Sequence, residues 1–166
     1  NFAKYKETHP DASYTPRYED TGYFLLKYLP RQGGNSQCTG DKDLNYRNNL
    51  RVYRYAETLL NAAELILRTG GDTAEAQNYL DQVRARAYRT TVEELGAHKV
   101  VANIDNVLEE RHLELYGEGK RFWDLVRSGK ANEVLGGRGY KDNKKYLPIP
   151  SSEIDKSAGT LTQNPY

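Results

Sequence analysis

The sequence predicts an all-α protein of antiparallel helix pairs with long loops and an extended C-terminal tail. Three observations carry this reading. Prolines stand at 10, 16 and 30 and then at 148, 150 and 165, so Arg31 to Leu147 can run helical without interruption. From Leu50 onward apolar residues recur at helical spacing. Between the periodic stretches lie residues that stop one helix and open the next.

In chain order, residues 1–49 read as a tyrosine-rich loop with one short extended segment, TGYFLLKYLP, followed by a glycine-rich loop around Gly33 and Gly34. Residues 50–166 read as the helical region, the two together forming one domain fragment of a larger protein. In the first helix Val52, Ala56, Leu59, Leu60, Ala63, Ile66 and Leu67 form the inner stripe, and Arg54, Glu57, Asn61, Glu64 and Arg68 take the other side. Gly70 and Gly71 can end it in a left-handed cap, and Asp72 with Glu75 has the spacing of a capping box. The second helix follows at once with the stripe Ala76, Tyr79, Leu80, Val83 and Ala87. So short a connection forces the two helices antiparallel. After a less regular stretch from Tyr88 to Val101, Asn103 is placed to cap a third helix with Ile104, Val107, Leu108 and Leu115 inside. A fourth, holding Phe122, Leu125 and Val126, follows Gly117 and Gly119. The prolines of YLPIPSSEI then predict an extended tail.

Composition narrows the function. At 166 residues the chain can bury roughly two-thirds of its unfolded surface, enough for a core. A net charge of +1 with both signs interspersed argues against a nucleic-acid partner held by a basic field. Of the aromatic residues, 14 are Tyr, 3 Phe and 1 Trp, and tyrosine joins a flat apolar face to a polar tip. Such residues suit sugar or peptide surfaces as well as domain edges. Cys38 is the sole cysteine, so no disulfide closes within this chain.

Catalytic and metal patterns are weak. Glu109 and His112 form E-x-x-H, but a di-iron site needs a second copy, and His9 and His98 both lack a Glu three residues before them. GEGKR and GGRGY lack the spacing of a phosphate-cradling loop, and no G-x-S-x-G occurs. Arg84, Arg86 and Arg89 read as a solvated face with salt bridges. No catalytic residue, metal ligand or cofactor is therefore assigned, and the sequence does not indicate an enzyme.

The densest stretch, EERHLELYGEGKRFWDLVRSGK from Glu109 to Lys130, reads as a structural clamp. Arg111 shares the inner stripe with Ile104, Val107, Leu108 and Leu115, so its guanidinium should be buried and must find an acid. Glu57, Glu64, Glu118 and Asp124 are the candidate partners.

RYAETLLNAAEL (54–65), LDQVRARA (80–87), LEERHLELYGEGKRFWDLVRSGK (108–130), YLPIPSSEI (146–154) and QNPY (163–166), in that order, resemble the C-terminal part of SusD/RagB-type proteins. TGYFLLKY (21–28) fits the segment that precedes them, and the sequence departs from the family pattern at His112, Ser128 and SAGT. The resemblance implies tetratricopeptide-like helix pairs in a non-catalytic nutrient-binding lipoprotein on the outer-membrane surface, anchored through the parent protein's N-terminus. It implies an oligosaccharide or peptide ligand, a SusC-type TonB-dependent transporter as partner, and a remaining N-terminal part. It carries over no ligand residue. Tyr14, Tyr18 and Tyr46 are chosen as ligand contacts from tyrosine stacking alone. A helical-repeat adaptor that binds only protein is the alternative.

Overall fold

The computed structural model describes residues 2–18, 20–25, 27, 28 and 49–165. Tyr46, Cys38 and the loop around Gly33 and Gly34 lie outside these residues. The chain forms two compact units, residues 1–52 and 53–166. The described residues are helices, turns and loops with no strand, an all-α fold of antiparallel, tetratricopeptide-like helix pairs.

In the first unit α1 spans Phe2–Thr8, a helix where the sequence reading had loop. It buries none of its residues. What holds it is the Phe2 N–H bonded to Gly22 O at 2.9 Å and the Phe2 ring set edge-on to Tyr14 and Phe24. The expected extended segment is not a strand, since residues 21–25 are coil with a bend at Gly22.

In the second unit α2 spans Tyr55–Thr69 and α3 spans Thr73–Tyr88. The inner stripe closes as the spacing requires: Leu59, Leu60, Ala63, Ala76, Leu80, Val83 and Val107 make one buried cluster. Gly70 ends α2 with φ +70°, its N–H bonded to Ile66 O, a conformation a Cβ would strain. Asp72 caps α3 by accepting from Ala74 N at 2.8 Å, whereas Glu75 accepts from the Tyr79 hydroxyl and so does not close a capping box. Two boundaries differ from expectation. The first helix starts at Tyr55, not Leu50, because Arg54 is extended at φ −152°, and Val52 is exposed. Ala87 is exposed, and Ala85 takes the buried position.

The connection from α3 carries a 3-10 turn at Gly96–His98 and buries Leu95. Gln77 fastens its end by donating to Val100 O at 2.8 Å and accepting from Ala102 N at 2.7 Å. Asn103 caps α4, Ile104–Glu114, by accepting from Asn106 N. α4 packs on both α2 and α3. α5, Arg121–Arg127, follows the left-handed Gly117 and Gly119, and α6 spans Ala131–Leu135. The tail is not wholly extended: α7 spans Ser151–Lys156, opening from Pro150, whose carbonyl accepts the Glu153 N–H at 2.9 Å. Behind it Gln163 pairs with Ile149, accepting from its N–H at 2.8 Å and donating to its carbonyl at 2.9 Å.

Candidate functional site

On α2 the residues Glu57, Asn61, Glu64 and Arg68 follow one another at helical spacing and form a single polar stripe. Half of the stripe is withdrawn from water: Asn61 and Arg68 are exposed, while Glu57 and Glu64 are buried, a correction to the two-sided reading of this helix. They meet the charges of α4 and α5. Arg111, only 4% exposed, donates through Nε to Asp124 Oδ2 at 2.9 Å. Its remaining guanidinium nitrogens bond Asn61 Oδ1 and stand 3.7 Å from Glu57 Oε1. The other Glu57 oxygen lies 3.1 Å from the Lys120 ammonium, an ion pair without good hydrogen-bond direction.

From Asp124 the chain of charges continues. Arg127 donates through Nη2 to Asp124 Oδ1 at 2.7 Å and through the same nitrogen to Glu64 Oε2, also at 2.7 Å. Glu64 accepts in addition from Arg68 at 2.8 Å. Lys120, Glu57, Arg111, Asp124, Arg127, Glu64 and Arg68 thus alternate in sign and tie α2, α4 and α5 together. Burial alone would raise the Glu64 carboxyl, but hydrogen bonds from Arg127 and Arg68 outweigh it and hold it below the usual carboxylate range. The Glu64 hydrogen bond does most to raise the Arg127 guanidinium above its ordinary value, against the effect of burial.

Of the predicted acid partners, Glu57 and Asp124 meet Arg111, Glu64 meets Arg127 and Arg68, and Glu118 meets Arg54. Arg54 donates through Nε to both Glu118 oxygens, at 2.9 and 3.1 Å, and binds the Glu114 carboxylate and carbonyl. Burial opposes its charge, yet the two glutamates raise its pKa. Arg84 bonds Glu110 and reaches His98 O at 2.7 Å. Burial pushes the Glu110 carboxyl up despite that guanidinium. Sequence reasoning did not assign Asn61, Lys120 or Arg127. The last had a local signal, being three residues after Asp124; the first two contact positions about 50 and 63 residues away and had none.

His112 sits at the edge of this cluster, its Nδ1 buried, without a hydrogen bond and 3.6 Å from Glu109 Oε1. Among the described residues no three His, Cys, Asp or Glu side chains gather closely enough to hold a metal ion. A groove of about 300 Å³ runs past Arg111, His112, Tyr116, Lys120, Arg121 and Phe122. Its strongest cations are engaged, Arg111 with Asp124 and Lys120 with Glu57.

The tyrosine candidates stand in the first unit. Tyr14 packs: its ring is edge-on to Phe2 at 4.4 Å and to Phe24 at 5.2 Å, and its hydroxyl points at Asp20 Oδ1, 3.5 Å away. Partial burial and that carboxylate push the Tyr14 phenol up. Asp20, which accepts backbone N–H bonds from Gly22 and Arg17, is held below the usual carboxylate range. Tyr18 is 93% exposed.

The SusD family model matches residues 3–166. SusD-like protein P2 of Formosa agariphila is 32% identical over 155 residues, covering 85% of this chain and 30% of that protein. Surface glycan-binding protein A from Bacteroides thetaiotaomicron, solved in complex with laminarihexaose, is 47% identical with a TM-score of 0.83, covering 99% of this chain and 35% of that one. A laminarin-binding SusD-like protein is 43% identical with a TM-score of 0.81, covering 99% of this chain and 33% of that one. The chain therefore spans about a third of the length of these relatives. With a match that runs through both units and nearly every residue, the chain belongs to the SusD family.

Proposed function

We propose that this chain is part of a non-catalytic, surface-exposed oligosaccharide-binding protein that serves a SusC-type TonB-dependent transporter at the outer membrane, anchored by lipid through the N-terminus of the parent protein. One observation carries the ligand class: the 47% identity, across 99% of the chain, to a surface glycan-binding protein solved with laminarihexaose. It favours sugar over peptide. Among the described residues no helix is long and apolar enough to cross a membrane. In this reading Arg111, Glu57, Glu64, Glu118 and Asp124 brace the helices, while exposed tyrosines such as Tyr18 meet the ligand. Tyr46 is kept as a contact on the same grounds of stacking, and Tyr14 packs with Phe2 and Phe24.

Calorimetry of the full-length protein against laminarihexaose, other hexasaccharides and short peptides tests the proposal. Saturable heat with an oligosaccharide, and no cleavage products after prolonged incubation, is expected. Silence toward every sugar together with tight binding to the transporter would establish a protein-only adaptor instead, and sugar turnover would make it an enzyme.

A further inference from the structure

Beside the Phe2 cluster, which Tyr5 touches at a ring-centroid distance of 6.4 Å, the first unit holds a second ring pair. Tyr5 and His9 stack at 4.1 Å with only 4° between their planes. They lie one turn apart at the end of α1, a helix that buries no residue, so the stack covers no core. Tyr5 remains 52% exposed.

The pair is nevertheless fixed. His9 Nδ1 lies 2.9 Å from Thr8 Oγ1 and 3.2 Å from Tyr5 O, and Thr8 donates to the same carbonyl at 3.1 Å. The turn that follows is closed by Ala12 N–H on His9 O at 3.0 Å, with Pro10 limiting its backbone freedom. The three side-chain contacts hold together only in the tautomer with its proton on Nδ1, since Tyr5 O can only accept and Thr8 gives its one proton there; Nε2 takes part in none of them. Tyr5, Thr8, His9, Pro10, Asp11 and Ala12 together border an open basin of about 410 Å³.

A pyranose ring presents an apolar C–H face and a rim of hydroxyls. The basin offers the matching halves: the tyrosine ring, backed on one face by the parallel imidazole, with Pro10 and Ala12 for the apolar face, and the Asp11 carboxylate for the rim. The geometry points to a saccharide subsite at Tyr5, His9 and Asp11, one sugar unit wide, in which the tyrosine supplies the stacking surface. This rests on the oligosaccharide reading above. Ordering the rings before the ligand arrives removes part of the entropy loss of binding.

The test uses the full-length protein and laminarihexaose. Tyr5→Ala should weaken binding about tenfold, while Tyr5→Phe, which keeps the ring, should stay near the unsubstituted affinity. Asp11→Asn should weaken it less than Tyr5→Ala. In case the alanine variant folds poorly, the His9 and Tyr5 ring proton resonances of the unsubstituted protein should shift on titration with the sugar. Unsubstituted protein that binds, with equal affinity in folded Tyr5→Ala or with unmoved ring resonances, overturns the subsite alone. Unsubstituted protein that gives no heat with laminarihexaose or any other hexasaccharide overturns the oligosaccharide reading and the subsite with it.

Discussion

On the side of α2 turned to α3, Leu60, Ala63, Ala76, Leu80 and Val83 close a seam by apolar contact. On the side turned to α4 and α5, Glu57, Asn61 and Glu64 close another by ion pairs and hydrogen bonds to Arg111, Arg127 and Lys120. The two seams use one helix and opposite physics. The apolar seam is non-directional, each buried leucine contributing about 1.5 to 3 kcal/mol simply by leaving water. The charged seam is conditional. Glu57, Glu64, Arg111 and Asp124 have lost their water, and they stabilise the seam only while each keeps a partner. Such a seam fixes the angle at which helices meet, because guanidinium and carboxylate have directions and methyl groups do not.

Breaking the charged seam at its centre should give the largest effect. Arg111→Met leaves Glu57 and Asp124 buried with one cation fewer, and a stability loss of about 3 to 5 kcal/mol is expected in urea unfolding. Sugar affinity of the molecules that remain folded should be unchanged. A fully stable Arg111→Met that loses binding would move the residue from bracing to ligand contact. The apolar seam should respond slightly less. Leu80→Ala, at a fully buried position, is expected to cost about 2 to 4 kcal/mol, scaling with the cavity that remains. Ranking the two variants in one unfolding assay measures which seam is the more brittle.

The apolar seam was legible before any coordinates. Its residues recur every three or four positions, and the stop at Gly70, Gly71 and Asp72 is written in adjacent residues. The charged seam was only half legible. Arg111 betrayed itself by standing on an apolar stripe, but which acid it meets depends on how three helices cross, and no local spacing carries that. The same holds for the start of α2. Arg54 is drawn out of the helix by Glu114 and Glu118, about 60 residues ahead, so a periodicity count from Leu50 starts too early. In the tail, two prolines outweighed a signal that was present: Ser151, Ser152 and Glu153 follow Pro150 as the first turn of a helix. In the first unit neither α1 nor the stacked Tyr5 and His9 lies on an apolar stripe, so no periodicity could announce them.

The smallest effect is the one that separates charge from packing. Arg127→Met keeps much of the side chain's bulk but removes the donors that hold Glu64 below the usual carboxylate range. Arg68 still bonds Glu64 and Arg111 still bonds Asp124, so the loss at neutral pH should be about 1 to 2 kcal/mol. The pH dependence fixes its origin. A carboxyl whose pKa is lower folded than unfolded stabilises the fold above the unfolded pKa, and that contribution disappears as pH falls through the folded pKa. The gap between the two proteins should therefore be full at pH 7 and shrink steadily below about pH 4.5, where Glu64 begins to take up its proton in the unfolded chain. Glu110 works in the opposite sense in both proteins: burial raises it, so its penalty is relieved on acidification and cancels from the difference. A gap that stayed constant from pH 7 to pH 3 would mean that Arg127 contributes through its aliphatic stem, and the charged seam would then differ from the apolar one less than its hydrogen bonds suggest.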